Sequence, residues 1–347
     1  MIVADHPHFV ERYYSHGLYP VVCYIMHPIF NLFPFSVGDV LYIGVVVYLV
    51  YALGRLVWLG FKRRWVQATS LFLGLTIGVE GAVFIFYLSW GMNYFRPPAA
   101  ERLNIGHADY TVADLKEVAS LMIDSANACR AKMTPADFST SNPAIFATAV
   151  NAVNQLGSAS PDFKTIHPRI KTSLLSFLLN YIGTSGYYNP FTSEAQMNYQ
   201  MPVYLRPFVA CHELSHQVGY GPEDEANFAG FLAGIKSNDR LLHYSAYYIG
   251  AEEFLYALRQ QDSIAQKQLK KKLSPLVLAD FKHERAYWLG YEGELNAFSN
   301  IFYDDFLKAN NQPQGLKTYN RMIILVLGYY KEHKLWPVAK TYATLHN

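Results

Sequence analysis

Two histidines four residues apart, with a glutamate directly after the first, are the residues of this sequence best suited to chemistry. They form the pattern HExxH at His212, Glu213 and His216. On a helix, positions i and i+4 share one face, so both imidazoles can bind one metal ion. Glu213 lies beside them, where a carboxylate can take a proton from a metal-bound water. The motif therefore predicts one zinc ion (Zn²⁺) per chain.

The residues around the motif favour this geometry. Pro207 suits the start of a helix, and no helix breaker follows before Gly219. A tight turn then leads into a second helix that begins with acidic residues and continues with apolar ones. A catalytic zinc site has three protein ligands and one open position. A carboxylate at the start of a buried helix needs a partner, so Glu223 and Glu225 are both candidates for the third ligand.

The pattern Glu-x-x-Ala-Asn that begins at Glu223 resembles gluzincin-like peptidases, including the membrane peptidases related to the heat-shock protease and the CAAX prenyl protease. In those families the first Glu binds zinc, and the Asn or Asp four residues later supports a ligand histidine. The resemblance implies that Glu223 is the third ligand and that Asn227 supports a histidine, with Glu225 as the alternative ligand. Glu225 lies about 200 degrees around the helix from Glu223, so both cannot easily face one metal. The metzincin ligand position would fall on Pro222, so that ligand set does not transfer.

Motifs along nearly the whole chain resemble an uncharacterised bacterial family of membrane-anchored HExxH proteins, known as a domain of unknown function. The resemblance implies a zincin-type membrane protein and supplies no substrate. The segments that carry it are Tyr13-Tyr14-Ser15, Pro34-Phe35-Ser36, Trp90-Gly91, Gly186 to Thr192, His212 onward, and Asn311 to Tyr319.

Two apolar stretches, about 37–59 and 68–90, each have the length of a membrane span. The short loop between them contains Lys62-Arg63-Arg64 and no acidic residue, so the positive-inside rule places it in the cytoplasm. We therefore expect a multi-pass protein of the bacterial inner membrane, with its C-terminal domain on the periplasmic or extracytoplasmic side. Residues 18–36 are apolar but contain three prolines, which predicts an interfacial or re-entrant segment and not a continuous lipid-facing helix.

The predicted fold is mainly α with a small β element: an N-terminal transmembrane helical hairpin followed by a zincin-like metallopeptidase domain. Its parts are an interfacial segment (1–36), the hairpin (37–92) and the catalytic domain (93–347). Gly-, Pro- and Tyr-rich residues 183–208 predict short strands beside the metal helix, where substrate could pair as an added strand. Helical spacing predicts helices from Thr111 and at about 143–157, 168–182, 241–261, 275–309 and 315–331.

Composition limits the partners. Hydrophobic residues make up 51% of the chain and charged residues 16%, which favours a lipid bilayer as one partner. The formal net charge of +2 gives no reason to expect nucleic acid. Three widely spaced cysteines make neither a disulfide framework nor a thiolate zinc site. The remaining partner is a peptide or protein substrate.

These observations predict a membrane-anchored zinc metallopeptidase in which Glu213 is the general base. The alternative is a zinc-binding signalling or structural membrane protein without peptidase activity, which would have no use for a base beside its ligands. A third hypothesis makes the histidines ordinary core residues without metal. A peptidase also needs a hydrogen-bond donor for the oxyanion, and the sequence does not choose among Tyr187, Tyr188, Tyr220, His243 and Tyr247.

Overall fold

Helices make up most of the protein, and the computed structural model describes residues 5–105 and 110–333. The chain begins with a helical turn, α1 (Pro7–Phe9), followed by a π-helical stretch, Val10–Leu18. It continues directly into α2 (Tyr19–Asn31). Two long helices follow, α3 (Val37–Phe61) and α4 (Trp65–Ser89).

Helices α3 and α4 coincide with the two apolar stretches found in the sequence. Both are long and apolar enough to cross a membrane, and hardly any of their side chains is buried against other parts of the protein. They are the two helices of this kind within residues 5–105 and 110–333. The basic residues 62–64 form the turn between them.

The rest of the chain contains eleven further α-helices among the described residues, four short 3-10 helices and three strands. The helices are α5 (Ala99–Arg102), α6 (Val112–Ala131), α7 (Asn142–Ala159), α8 (Ser176–Tyr181), α9 (Arg206–Val218), α10 (Glu223–Ile235), α11 (Arg240–Gln261), α12 (Ser263–Lys270), α13 (Pro275–Leu289), α14 (Glu294–Ala309) and α15 (Met322–His333). The 3-10 helices are Gly91–Phe95, Asp137–Ser139, Pro161–Phe163 and Gly315–Arg321. The strands are β1 (Ile170–Thr172), β2 (Gly186–Asn189) and β3 (Glu194–Met197).

The three strands form one sheet in the order β1-β3-β2. Strand β1 is parallel to β3, with Ile170 opposite Ala195, and β2 is antiparallel to β3, with Gly186 opposite Met197. Strands β2 and β3 are the short strands that the residues 183–208 predict. Helix α9 lies between this sheet and helices α7, α10 and α11, and from Pro207 to Val218 all its residues are buried.

The first turn of α3 is fixed to the sheet. The carboxylate of Glu194 accepts hydrogen bonds from the backbone N–H groups of Val37 and Gly38 at 3.3 and 2.6 Å. A negative charge is favourable at a helix N-terminus, where backbone N–H groups have no partner within the helix. Glu194 also pairs with Lys171, and both side chains are buried. The sheet beside α9 therefore also holds the start of the first apolar helix.

Two of the predicted helices are wrong in their extent. Residues 168–182 form strand β1 and the short helix α8, because Ile170–Thr172 pairs along β3 and Lys171 is held by Glu194. The predicted helix 275–309 is two helices, α13 and α14, separated at the glycines 290 and 293. Glycine has low helix propensity, so a break there costs little.

The N-terminal segment is more regular than its prolines predict. Helix α2 runs through Pro28, and Pro20 lies in its first turn. Contacts with the rest of the chain stabilise it: the ring of His27 hydrogen-bonds to the carbonyl of Ile166 at 2.5 Å, and Lys171 donates to the carbonyl of Phe30 at 2.7 Å. The division at residues 36 and 92 stays a prediction.

Candidate metal centre

The side chains of His212 and His216 lie on the same face of helix α9, close to each other. The rings of His212 and His216 are 4.8 Å apart between centroids and nearly perpendicular. The helix ends at Gly219, which has a φ of 101°. Only glycine adopts this φ at little cost. The turn at Gly219 reverses the direction of the chain, so α10 packs beside α9.

Glu223, the first residue of α10, completes the cluster. Its Oε2 atom lies 3.3 Å from Nε2 of His212 and 3.5 Å from Nε2 of His216. Ligands at about 2.0–2.1 Å from a tetrahedral zinc ion are separated by about 3.4 Å, so these distances fit a single bound ion. Two imidazole nitrogens and one carboxylate oxygen also form a donor set that catalytic zinc sites use.

Further side-chain and backbone groups contact these three side chains. Nδ1 of His216 donates to the carbonyl of Tyr220 at 2.7 Å, so in the neutral ring it is Nε2 that carries the lone pair. The side chain of Asn227 lies beside His212 and acts to raise the pKa of its ring. Oε1 of Glu223 accepts from the hydroxyl of Tyr303 at 2.8 Å, which leaves Oε2 directed at the histidines.

Burial and the close charges shift the pKa values of the cluster. Burial lowers the pKa of His212, which favours the neutral ring that binds metals. Burial also acts to lower the pKa of His216, but the adjacent Glu223 outweighs it and raises that pKa to about 9. For Glu223, burial acts to raise the pKa, and the two histidines outweigh it and hold the pKa well below its usual range. Glu223 is thus ionised, as a metal ligand must be.

Glu213 faces a different environment from Glu223. Its side chain is buried, and its Oε2 atom has no hydrogen-bond partner among the described residues. Burial raises the pKa of Glu213 to about 8. A carboxyl group with a pKa near the ambient pH can both accept and return a proton, which is what a general base requires.

Gly186 in strand β2 packs directly on Glu213. A Cβ atom at this position would lie 2.7 Å from Oε1 of Glu213 and 2.7 Å from the carbonyl oxygen of Gln196. No side chain fits in that space without displacing the strand or the carboxylate. The glycine therefore allows the edge of the sheet to approach the candidate base.

Glu225, the alternative ligand, lies elsewhere. Its Oε1 accepts from the backbone N–H of Ala99 at 2.7 Å, and its Oε2 pairs with the guanidinium of Arg102 at 2.7 Å. The structure therefore brings Glu223, and not Glu225, to the histidines. The reason is the helical period, which turns the two side chains to different sides of α10.

The last carbonyl groups of α9 are satisfied by side chains from the N-terminal part of the chain. The indole N–H of Trp90, directly after α4, donates to the carbonyl of His216 at 2.9 Å. The hydroxyl of Tyr19 donates to the carbonyl of Gln217 at 2.8 Å, and Arg96 donates to that of Gly219 at 2.9 Å. The last carbonyl groups of a helix have no partner within the helix, so Tyr19, Trp90 and Arg96 cap the C-terminus of α9.

The five predicted oxyanion donors are dispersed. The hydroxyl of Tyr187 donates to Asp39 in the first turn of α3, whereas the ring of Tyr188, on the opposite face of β2, lies 6.4 Å from that of His216. Tyr220 is buried against Phe163, and His243 and Tyr247 lie against each other on α11, 5.1 Å apart. Of the five, Tyr188 is the one whose ring lies close to the ring of a histidine of the cluster, tilted by 44°.

Sequence reasoning missed several residues that contact the cluster. Tyr303 has no motif around it, so nothing in the sequence marks it among 27 tyrosines. Gln312 accepts a hydrogen bond from the backbone N–H of Glu223 at 3.1 Å. Trp90, Gly186 and Gln312 all lie within the sequence segments that carry the resemblance to the uncharacterised family. Their place in those segments was the signal that could have identified them.

A family model described as "Protein of unknown function (DUF3810)" matches residues 14–327. The match covers most of the chain, and it includes both long apolar helices and the cluster on α9 and α10. The chain belongs to this family. No curated protein and no solved structure gives a significant match.

Replacing Gly186 with alanine tests the close contact between β2 and Glu213. The added Cβ has no space, so we expect Gly186→Ala to lower the free energy of unfolding by about 1–3 kcal/mol. The matched control is Gly54→Ala in α3, where nothing lies within 4 Å of the added atom and no loss is expected. Thermal unfolding in detergent measures both. Equal midpoints for the two variants would show that β2 does not touch the glutamate.

Proposed function

We propose that this protein is a membrane-anchored, zinc-dependent metallopeptidase. The observation that carries the proposal is the convergence of Nε2 of His212, Nε2 of His216 and Oε2 of Glu223, with the buried Glu213 beside them. The likeness of the pattern Glu-x-x-Ala-Asn to gluzincin-like peptidases supports the same assignment. Burial of four ionisable groups in one place is costly, and a bound cation would offset that cost.

In this proposal His212, His216 and Glu223 hold the ion, and the side chains around them fix their orientation. A bound zinc ion supplies Lewis-acid activation of a water molecule and of the scissile carbonyl. Glu213 accepts a proton from the attacking water and returns it to the leaving amine, a role that suits a pKa of about 8. Tyr188 and Tyr303 are the tyrosines whose positions favour an oxyanion donor, since one lies near His216 and the other contacts Glu223.

Strand β2 supports a peptide as the substrate. It is one of the two outer strands in the order β1-β3-β2, and Gly186 at its start lies against the candidate base. An extended peptide can add to such an edge through main-chain hydrogen bonds. A substrate paired with β2 would have its backbone beside Glu213.

Helices α3 and α4 support the membrane anchor. Both have the length and composition of spans, and the basic turn at residues 62–64 favours a cytoplasmic position for that turn. We therefore place the remainder of the chain, including the metal centre, on the extracytoplasmic side of the bacterial inner membrane.

Metal content separates the two glutamates. We expect about one zinc ion per chain in protein purified without chelator, and its loss in His212→Ala, His216→Ala and Glu223→Ala. Glu225→Ala is the matched control: it should keep zinc and lose about 3 kcal/mol of stability, because Arg102 is left buried without its partner. Elemental analysis decides the first point and thermal unfolding the second. Zinc retained by Glu223→Ala and lost by Glu225→Ala would reverse the assignment.

Catalysis is tested by Glu213→Gln, which keeps the size of the side chain and removes its basicity. We expect the variant to retain zinc and to lose proteolysis by at least about 100-fold, the scale of general-base catalysis. The measurement is a proteome-wide comparison of cleavage products between wild type and variant in the native membrane. Identical products with zinc bound in both would favour the zinc-binding protein without peptidase activity.

The topology is tested with single cysteines at Lys270, exposed on α12, and at Arg63, in the turn between α3 and α4. An impermeant thiol reagent applied outside the inner membrane should label Lys270→Cys. It should label Arg63→Cys only after the membrane is opened. The opposite labelling would overturn the proposed orientation.

A further inference from the structure

Helix α14 carries a row of large apolar side chains that the described part of the chain leaves exposed. Leu295, Phe298, Ile301 and Phe302 are all exposed, and their spacing places them on one face. No charged residue occurs between Glu294 and Asp304. A soluble surface rarely exposes so much contiguous apolar area, so a partner for this face is expected.

The opposite face of α14 lies over the candidate metal centre. Tyr303 donates its hydroxyl hydrogen bond to Glu223. About two turns earlier, Asn296 packs so closely on Gly183, at the turn before β2, that a Cβ added there would displace the Asn296 side chain. The helix therefore extends from the start of the edge strand to the third metal ligand, and access from this side requires it to move.

The C-terminal end of α14 is joined to the second apolar helix. The ring of Phe306 lies 5.9 Å from that of Phe86 in the last turn of α4. The hydroxyl of Tyr87 donates to the side-chain oxygen of Asn310 at 3.1 Å. The charged residues of α14 are Glu294 at its start and Asp304, Asp305 and Lys308 in its last two turns.

The N-terminal end of α14 is connected in the same way to the first apolar helix. Tyr291 contacts Tyr181 in α8 at 5.2 Å between ring centroids, and Tyr181 contacts Phe177 at 5.1 Å. The backbone N–H of Leu174, directly before α8, donates to Asp39 in the first turn of α3 at 2.7 Å. An apolar belt can thus be defined whose members are all exposed: Leu174, Phe177, Leu178, Leu295, Phe298, Ile301 and Phe302.

We infer that this apolar belt lies in the surface of the lipid bilayer, so that α14 is a membrane-embedded roof over the metal centre. The inference rests on the proposed membrane anchoring. Continuity selects lipid as the occupant: the belt joins the first turn of α3 to the last turn of α4, which are the ends at which both proposed spans leave the bilayer. Amphipathic helices rich in Phe and Leu bind at this depth.

Nitroxide labelling with a matched pair of positions tests the inference. Ile301 on α14 is 66% exposed and Ile264 on α12 is 70% exposed, so each accepts a spin label with little disturbance. A label at Val47 within α3 serves as the lipid reference, and Cys129→Ala removes the cysteine that is not fully buried. The labelled chains are placed in vesicles of phosphatidylethanolamine and phosphatidylglycerol, and collision with oxygen is compared with collision with a polar nickel chelate.

We expect the ratio of oxygen to nickel collisions at position 301 to approach that at position 47 and to exceed that at position 264 several-fold. A label at 301 that behaves like one at 264, while 47 remains in lipid, would overturn the belt and leave the anchor intact. Low collision with both reagents at 301 would indicate a protein partner and would overturn the assignment to lipid. A water-exposed label at 47 would overturn the anchor and the belt together.

Discussion

Burial of ionisable groups is the constraint on which the rest of this structure depends. His212, His216, Glu213 and Glu223 lie within a few ångströms of one another, shielded from water. A charge in such a place is stable only when it is paired, hydrogen-bonded or bound to an ion. Helix α10 therefore begins where the side chain of its first residue, Glu223, reaches both histidines. The turn at Gly219 and the hydrogen bond from Glu223 to Gln312 keep that point fixed.

The same requirement explains why the N-terminal part of the chain lies against α9. A helix that ends inside the protein must have its last carbonyl groups satisfied. Here Tyr19, Trp90 and Arg96 supply the donors. Arg96 is itself held by two hydrogen bonds to Glu11, at 2.6 and 2.8 Å. The cap therefore extends to the π-helical stretch Val10–Leu18. One group of contacts therefore fixes the position of α9 relative to the two long apolar helices, α3 and α4.

Sequence patterns captured what depends on local spacing. The i, i+4 histidines, the helical period that separates Glu223 from Glu225, and the two apolar stretches all follow from residues close together in the chain, whereas the choice of Glu223 came from the resemblance to gluzincin-like peptidases. Contacts between distant residues were not predictable in this way. Tyr303 reaches Glu223 from 80 positions away, and β1 was expected to be helical because its pairing with β3 and the contact of Lys171 with Glu194 cannot be seen locally. The sequence did not identify the oxyanion donor for the same reason. No local feature distinguishes a tyrosine near the two histidines from the other tyrosines of the chain.

The cap on α9 has a consequence for how this chain can be divided. A fragment beginning after Trp90 would keep the HExxH helix but lose Tyr19 and Trp90, and with them the donors to the carbonyl groups of His216 and Gln217. Either water would enter beside the second histidine or the last turn of the helix would fray. The two long apolar helices and the rest of the chain are therefore not modules that can be exchanged separately. A change in how the first ninety residues pack would be transmitted to the histidines of α9 through a single layer of hydrogen bonds.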